Sequence, residues 1–380
     1  MTSENSPDTG PKVPFTSPFF PPEMRREIAE DIQSVLACGR LMDGPFAKKI
    51  EADFAHYSGT KHAVSLNSAT TGLQIALRFA GASGREVLVP AASFVTDVTA
   101  VLFEGATPVL VDCDPATLAL DPADLARKIG PETAAIIWVH LTGYIGDKHQ
   151  EIERIAQKNG VLLIEDASHA YGAEIDGRIS GSLGHVGIFS LYPTKLITSG
   201  TGGLLTTDDP EIAKFARKLR LFGKDEETGE ITDLGNDWFL DELRACVASH
   251  QVAALDVIIN HRRSAANRYL QRIGDLPGFR CLVPNSGNLP SWYQFPIFLD
   301  ADIDHNVLSK KMRESGIPCK RIYRPVHHET VFRPFDPGNG LEGAEQLLDR
   351  SFCLPMFTAI TDAQIDQVVN ALKRALGDMA

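Results

Sequence analysis

Val161-Leu-Leu-Ile-Glu-Asp166-Ala-Ser-His169 reads as a buried strand that ends in a carboxylate. Its unbroken apolar run has no polar face, which suits a strand covered on both sides, as in a parallel sheet. The same pattern repeats outward from it. Short apolar or β-branched runs at 62–66, 86–90, 107–111 and 134–139 alternate with helical patterns at 70–79, 95–103, 121–129 and 148–158. This alternation predicts an α/β fold with a mainly parallel sheet between helices. Two further strands are expected at 187–191 and 202–207, then a helix at 210–221, a polar surface loop at 223–237 and a long helix at 241–273. Beyond about 276, strands at 294–299 and 320–323 mix with helices at 306–315 and 362–376. The expected division is a loose polar tail over 1–14, a large domain over 15–250 and a small C-terminal α+β domain over 251–380.

The chain has 380 residues, 43% apolar and 23% charged, with a net charge of −12. That composition excludes a disordered chain and a disulfide scaffold, and the negative balance argues against a nucleic-acid partner. No apolar run approaches the roughly 20 residues that cross a bilayer. The start, MTSENSPDTGPKVP, lacks the basic and apolar regions of a signal peptide. Six scattered cysteines without a CxxC predict a reducing, cytoplasmic setting and no metal framework.

Ligands on open α/β sheets bind beyond the carboxyl ends of the strands. Asp166 stands there, as a cap for the next element or as a ligand carboxylate. Lys195 lies in Ser190-Leu-Tyr-Pro-Thr194-Lys195-Leu-Ile-Thr-Ser-Gly200-Thr-Gly202-Gly203, a loop of small hydroxyl residues with apolar flanks. Desolvation there would favour the neutral amine that Schiff-base chemistry needs. Asn67-Ser68-Ala69-Thr70-Thr71-Gly72 joins a strand to a helix, an arrangement that caps the helix or binds an anion. Neither a GxGxxG after a strand nor a GxxxxGK[ST] occurs. A lysine, a carboxylate and a phosphate cradle together are what pyridoxal 5′-phosphate (PLP) requires.

With these segments in view, the sequence resembles the DegT/DnrJ/StrS family of PLP-dependent sugar aminotransferases. The likeness runs from about residue 44 to 376. It is carried by GPFAKKIEADFAHYSGTKHAVSLNSATTGL, EVLVPAASFVTDVTAVLFEGATPVLVDCDP, VHLTGYIGD, SGIPCKRIYRPVHH and CLPMF, and above all by IEDASHAYGA followed by FSLYPTK. The resemblance implies the PLP-dependent transferase type I fold, with a seven-stranded sheet. It makes Lys195 the Schiff-base lysine and Asp166 the partner of the pyridine nitrogen. His169 would approach the phenolic oxygen, Ser190 and the Ala69-Thr70 pair the phosphate, and Phe94 the ring face. Without the resemblance, His169 and Phe94 read as core residues.

Three departures stand out. Thr201 occupies the place of a family glutamate, and Ala69 that of a glycine. In Gly235-Asn236-Asp237-Trp238-Phe239-Leu240, Asp237 stands where the family has an asparagine that reaches the neighbouring subunit's phosphate. Asn236 is expected to serve instead, and Phe239 replaces an arginine. Adjacent His327 and His328 rarely point at one ion, so no metal is expected. The resemblance places that loop near substrate and makes Arg324 and His327 candidate substrate contacts. It implies transfer of an amino group from L-glutamate or L-glutamine to a keto-sugar, most plausibly nucleotide-linked, by a homodimer with shared active sites. A non-nucleotide keto-sugar or keto-cyclitol acceptor, or a non-catalytic PLP-binding regulator, are the alternatives. Lys195 argues against the dehydratase branch, which carries histidine at that position.

Overall fold

The apolar runs of the first half become strands of one sheet. In the computed structural model, which describes residues 13–378 apart from 115, 118 and 275, two helices come first, α1 (Pro22–Cys38) and α2 (Pro45–Ser58). Residues 1–12 of the expected tail lie outside the described residues, and Val13 is buried against the core of the smaller sheet. The chain then alternates through β1 (His62–Leu66), α3 (Ala69–Phe79), β2 (Glu86–Pro90), α4 (Val95–Phe103), β3 (Thr107–Val111), α5 (Pro122–Lys128), β4 (Thr133–Val139), α6 (His149–Asn159) and β5 (Leu162–Asp166). A hairpin, β6 (Glu174–Ile175) and β7 (Arg178–Ile179), leads to β8 (Val186–Ser190), β9 (Gly203–Thr207), α7 (Pro210–Arg220), α8 (Glu242–Ala253) and α9 (Leu255–Ile273). The remainder is β10 (Phe279–Cys281), β11 (Asn288–Leu289), β12 (Phe295–Leu299), α10 (His305–Glu314), α11 (Glu342–Arg350), β13 (Ser351–Leu354) and α12 (Asp362–Gly377).

The main sheet runs β1-β9-β8-β5-β4-β2-β3. Only β9 opposes the common direction, pairing antiparallel with both neighbours, while β8, β5, β4, β2 and β3 pair in parallel. This is the expected α/β sheet with seven strands. Side-chain alternation splits its core in two. Ile137, Val139 and Ile164 pack with Leu73, Val98 and Ala213 on one face. Ile136, Trp138 and Leu163 pack with Phe54, Ile152 and Ala245 on the other. All seven residues of β4 are buried, so neither face tolerates a polar side chain without a partner. Truncating Ile137 to alanine would cost about 2–5 kcal/mol.

A second sheet, β10-β12-β13, has its own core with α9, α10 and α12. The Thr361 side chain accepts from the Gln364 N–H, and the Gln364 side chain accepts from the Thr361 N–H, which fixes the start of α12. Two expectations are corrected here. The segment 241–273 is two helices, broken at Ala254 (φ −98°, ψ 4°), with neither glycine nor proline to announce the break. The segment 320–323 is not a strand; Lys320 makes one isolated bridge to Cys353.

Every strand of the main sheet except β9 ends on the same edge. The loop 191–202 leaves β8 there and returns to start β9 at Gly203. A Cβ on Gly203 would lie 2.4 Å from the Ser68 carbonyl carbon, so the glycine lets the Lys195 loop close against the start of α3.

Candidate active site

A cleft of about 410 Å³ opens at this edge of the sheet. Lys195, Asp166, His169, Ser190, Ala69, Thr70 and Phe94 all line it, together with Ser68, Thr201, Tyr293, Lys320 and Tyr323. Residues separated by more than a hundred positions meet because each ends a strand or begins the next element.

Lys195 sits where burial pulls its ammonium down to about 8 from 10.5, against the opposing pull of Asp166 and Asp97. Its Nζ lies 5.0 Å from the centre of the Tyr293 ring, and Thr194 Oγ1 and Tyr293 Oη are 3.0 Å apart. Asp166 is 7% exposed and accepts the Ser168 N–H on Oδ1 at 3.0 Å. Its neighbour Glu165 points away from the cleft. One Glu165 oxygen accepts the N–H groups of Leu183 and Gly184, each at 2.7 Å. The other accepts the Gly181 N–H at 2.8 Å and lies 2.8 Å from His140 Nε2. A fully buried carboxyl thus fixes the turn that feeds β8.

His169 Nδ1 accepts the Thr142 N–H at 3.3 Å, and its Nε2 lies 3.0 Å from Tyr323 Oη. Burial drives its pKa well below 6.5, with the charges of Lys195 and Lys320 adding to the effect. The ring is therefore neutral, with its proton on Nε2 directed to Tyr323. Tyr323 Oη accepts that hydrogen bond and keeps its own O–H free to donate into the cleft. The ring of His169 stacks on Tyr293, with centroids 4.1 Å apart. Tyr293 is held from behind by the buried Arg262, whose guanidinium donates to the carbonyls of Trp292 (2.9 Å) and Tyr293 (3.3 Å). Phe94 is 41% exposed and turns its ring toward the cleft, tilted against Tyr323 at 5.2 Å.

At the other end, α3 begins at Ala69 with Ser68 as its N-cap. Ser68 Oγ accepts the Thr71 N–H at 3.1 Å, and the N–H groups of the first turn have no intrahelical partner. With the Ser190 and Thr201 hydroxyls across the cleft, this arrangement has the chemistry to hold an anion.

Neither candidate substrate contact, Arg324 nor His327, lines this cleft, and Asn236, expected at the neighbouring subunit's phosphate, lies outside it too. Asn236 accepts the following Asp237 N–H on its own side chain at 2.8 Å and does not line the cleft. Arg324 is exposed outside the lining. His327 is 1% exposed, with Nε2 3.1 Å from Glu345 Oε1. Phe239, the departure from arginine, lies under the Arg220 guanidinium at 4.7 Å. Asp97, Tyr293, Lys320 and Tyr323 were not singled out from the sequence. The last two lie in SGIPCKRIYRPVHH, the segment the resemblance places near substrate.

The model of the DegT/DnrJ/EryC1/StrS aminotransferase family matches residues 22–373. The chain belongs to that family. It is a PLP-dependent sugar aminotransferase. Its structure is similar to that of the aminotransferase TlmJ from Streptoalloteichus hindustanus, at 31% identity and a TM-score of 0.90, covering 97% of this chain and 99% of that one. It is also similar to DesV of S. venezuelae, at 34% identity and a TM-score of 0.89, covering 96% and 99%. The sugar aminotransferase CalS13 from Micromonospora echinospora matches at 25% identity and a TM-score of 0.88, covering 95% and 99%. The cleft suits PLP on its own evidence. It combines a lysine with a depressed pKa, a buried carboxylate, a helix start facing the cleft and an exposed aromatic face.

Proposed function

We propose that this chain moves an amino group from L-glutamate or L-glutamine to a nucleotide-linked keto-sugar, with Lys195 as the PLP lysine. The observation that carries the reading is the convergence of Lys195, Asp166 and the start of α3 on one cleft, where burial lowers the Lys195 ammonium. When bound, PLP supplies an aldehyde for the amino group and a ring that takes up the electron pair left on the adjacent carbon. The protein's part is proton handling and positioning. With a pKa of about 8, Lys195 is partly neutral near pH 7.5; its Nζ binds the aldehyde and, once displaced, takes and returns the proton at the reacting carbon. Asp166 keeps a proton on the ring nitrogen. His169, by donating its Nε2–H to Tyr323, aims the Tyr323 hydroxyl at the phenolic oxygen. Ala69, Thr70 and Ser190 hold the phosphate, and Phe94 covers the ring. Asn236, outside this cleft, is assigned to the neighbouring subunit's phosphate in a homodimer with shared sites. The proposed small C-terminal domain has its own core around β10-β12-β13, joined by α9 from Ala265 onward, while Val252, Leu255, Ile258 and Ile259, beyond the 250/251 division, pack with the main sheet. A cytoplasmic setting is part of this proposal and rests on the six scattered cysteines; among the described residues no helix is long and apolar enough to cross a membrane.

The test is an absorption spectrum of the purified protein with PLP, before and after L-glutamate. A visible band that converts on adding glutamate supports the reading, and conversion by glutamine alone selects that donor. The Lys195→Ala protein should show no such band. A band that survives in Lys195→Ala refutes the assignment of the lysine.

A further inference from the structure

Assigning Asp166 to the ring nitrogen leaves one neighbour unexplained. Asp97 lies in the first turn of α4 and is fully buried. Its carboxyl is within hydrogen-bonding reach of the Asp166 carboxyl. Among the described residues, no N–H or O–H group donates to either Asp97 oxygen. The Ser93 hydroxyl beside it makes a 3.4 Å contact with the Phe94 carbonyl; its reach toward Asp97 favours the ionised carboxyl but is outweighed by burial and by Asp166. The other titratable groups that face Asp97 are Lys195 and Tyr323.

Two ionised carboxylates in contact away from water repel strongly. A single proton between them replaces the repulsion with a charge-assisted hydrogen bond. The field at the start of α4 favours the anion, but that effect is small and no N–H of the turn reaches these oxygens. Burial, then the charge of Asp166, pushes the Asp97 carboxyl well above the ordinary range. A carboxylic acid kept neutral by its site becomes a hydrogen-bond donor.

We propose that Asp97 is a positioning residue of the cofactor site, a protonated carboxyl that donates to the Asp166 carboxylate. Asp166 is then held by two donors, the Asp97 O–H and the Ser168 N–H, and keeps lone pairs for the ring nitrogen. The pair carries one negative charge, matched to one ring N–H. Nothing in the sequence marks this role, because an acidic residue in a helix's first turn has an ordinary explanation in the helix dipole. The inference rests on Asp166 as the partner of the PLP nitrogen.

The experiment compares wild type, Asp97→Asn and Asp97→Leu. PLP dissociation constants are measured by absorbance, and infrared difference spectra of wild type against Asp97→Asn are recorded at pH 7. Asn retains a donor and should bind PLP within about threefold of wild type; Leu removes it and should bind roughly tenfold or more weakly. The infrared difference should show the carbonyl stretch of a protonated carboxylic acid, lost in Asp97→Asn. No such band, equal weakening in both variants, or wild-type binding by Asp97→Leu each overturns the proposal. If Asp97→Leu does not fold, the infrared comparison decides alone. Wild type that binds no PLP would refute the cofactor reading instead, while the infrared band still reports the proton on Asp97.

Discussion

Replacing Lys195 by methionine should stabilise the PLP-free protein at pH 7. Burial lowers the lysine from 10.5 to about 8, so the unfolded chain holds that proton more tightly than the folded one. Because the folded value lies below the unfolded one, the penalty is complete below about pH 8 and fades as pH climbs toward 10.5. At 1.36 kcal/mol per pKa unit the gap is about 3.4 kcal/mol. Lys195 keeps part of its surface in the cleft, and solvent screening trims the figure to about 2 kcal/mol. Methionine has a similar length and no charge, so packing changes little. The assay is urea denaturation of both apo proteins at one protein concentration, at pH 7 and pH 10. Methionine should add about 2 kcal/mol at pH 7, and most of that difference should be gone by pH 10. A variant less stable than wild type at pH 7, or a gap that ignores pH, would refute the argument. A stabilising substitution at the proposed PLP lysine is the expected signature of a site that trades stability for reactivity.

Other consequences can be checked in the same preparations. The rate of PLP capture by the apo protein should rise with pH about a midpoint near 8, since only the neutral amine attacks the aldehyde; stopped-flow absorbance with a midpoint near 10.5 would contradict this. Glu165→Gln puts an N–H₂ against a backbone N–H or His140, and should cost about 1–3 kcal/mol in denaturation experiments. Faster hydrogen exchange at 181–184 should accompany that loss, and unchanged stability would mean the carboxyl is not the anchor of that turn. Tyr323→Phe should lower kcat about 5- to 30-fold with PLP affinity within about threefold, because His169 Nε2 loses its partner; loss of PLP instead would assign Tyr323 to cofactor binding. Thr361→Ala should cost about 1 kcal/mol of stability through the α12 cap and leave PLP binding untouched.

The main sheet was legible because its strands are short and apolar without a break, and because helical patterns separate them. Where boundaries moved, as from 134–139 to Thr133–Val139, the shift is one residue at an end that frays. The break at Ala254 was hidden because helix propensity continues through it and only tertiary packing turns the chain. The segment 320–323 reads as a strand from Ile322 and Tyr323, yet tertiary contacts use it as irregular lining of the cleft. Lys195 and Asp166 could be singled out because each interrupts an apolar context at a strand end. Tyr293 and Asp97 could not be. Tyr293 acquires its place by stacking on a histidine far away in sequence, and Asp97 by facing a carboxyl on another strand. Periodicity reports which face a residue takes, and not which side chain it will meet there.

Glu165 and Asp166 are consecutive and project to opposite sides of β5. One engages backbone donors beneath the sheet and the other faces the cleft. Sliding β5 by a single position would exchange the two acids. The longer carboxyl would enter the cleft, and the shorter one would be left among donors it cannot span. A misaligned chain would therefore lose its cofactor site and its structural anchor together. PLP binding thus rewards only the correctly aligned sheet, and the ligand acts as a proofreader of the fold that holds it.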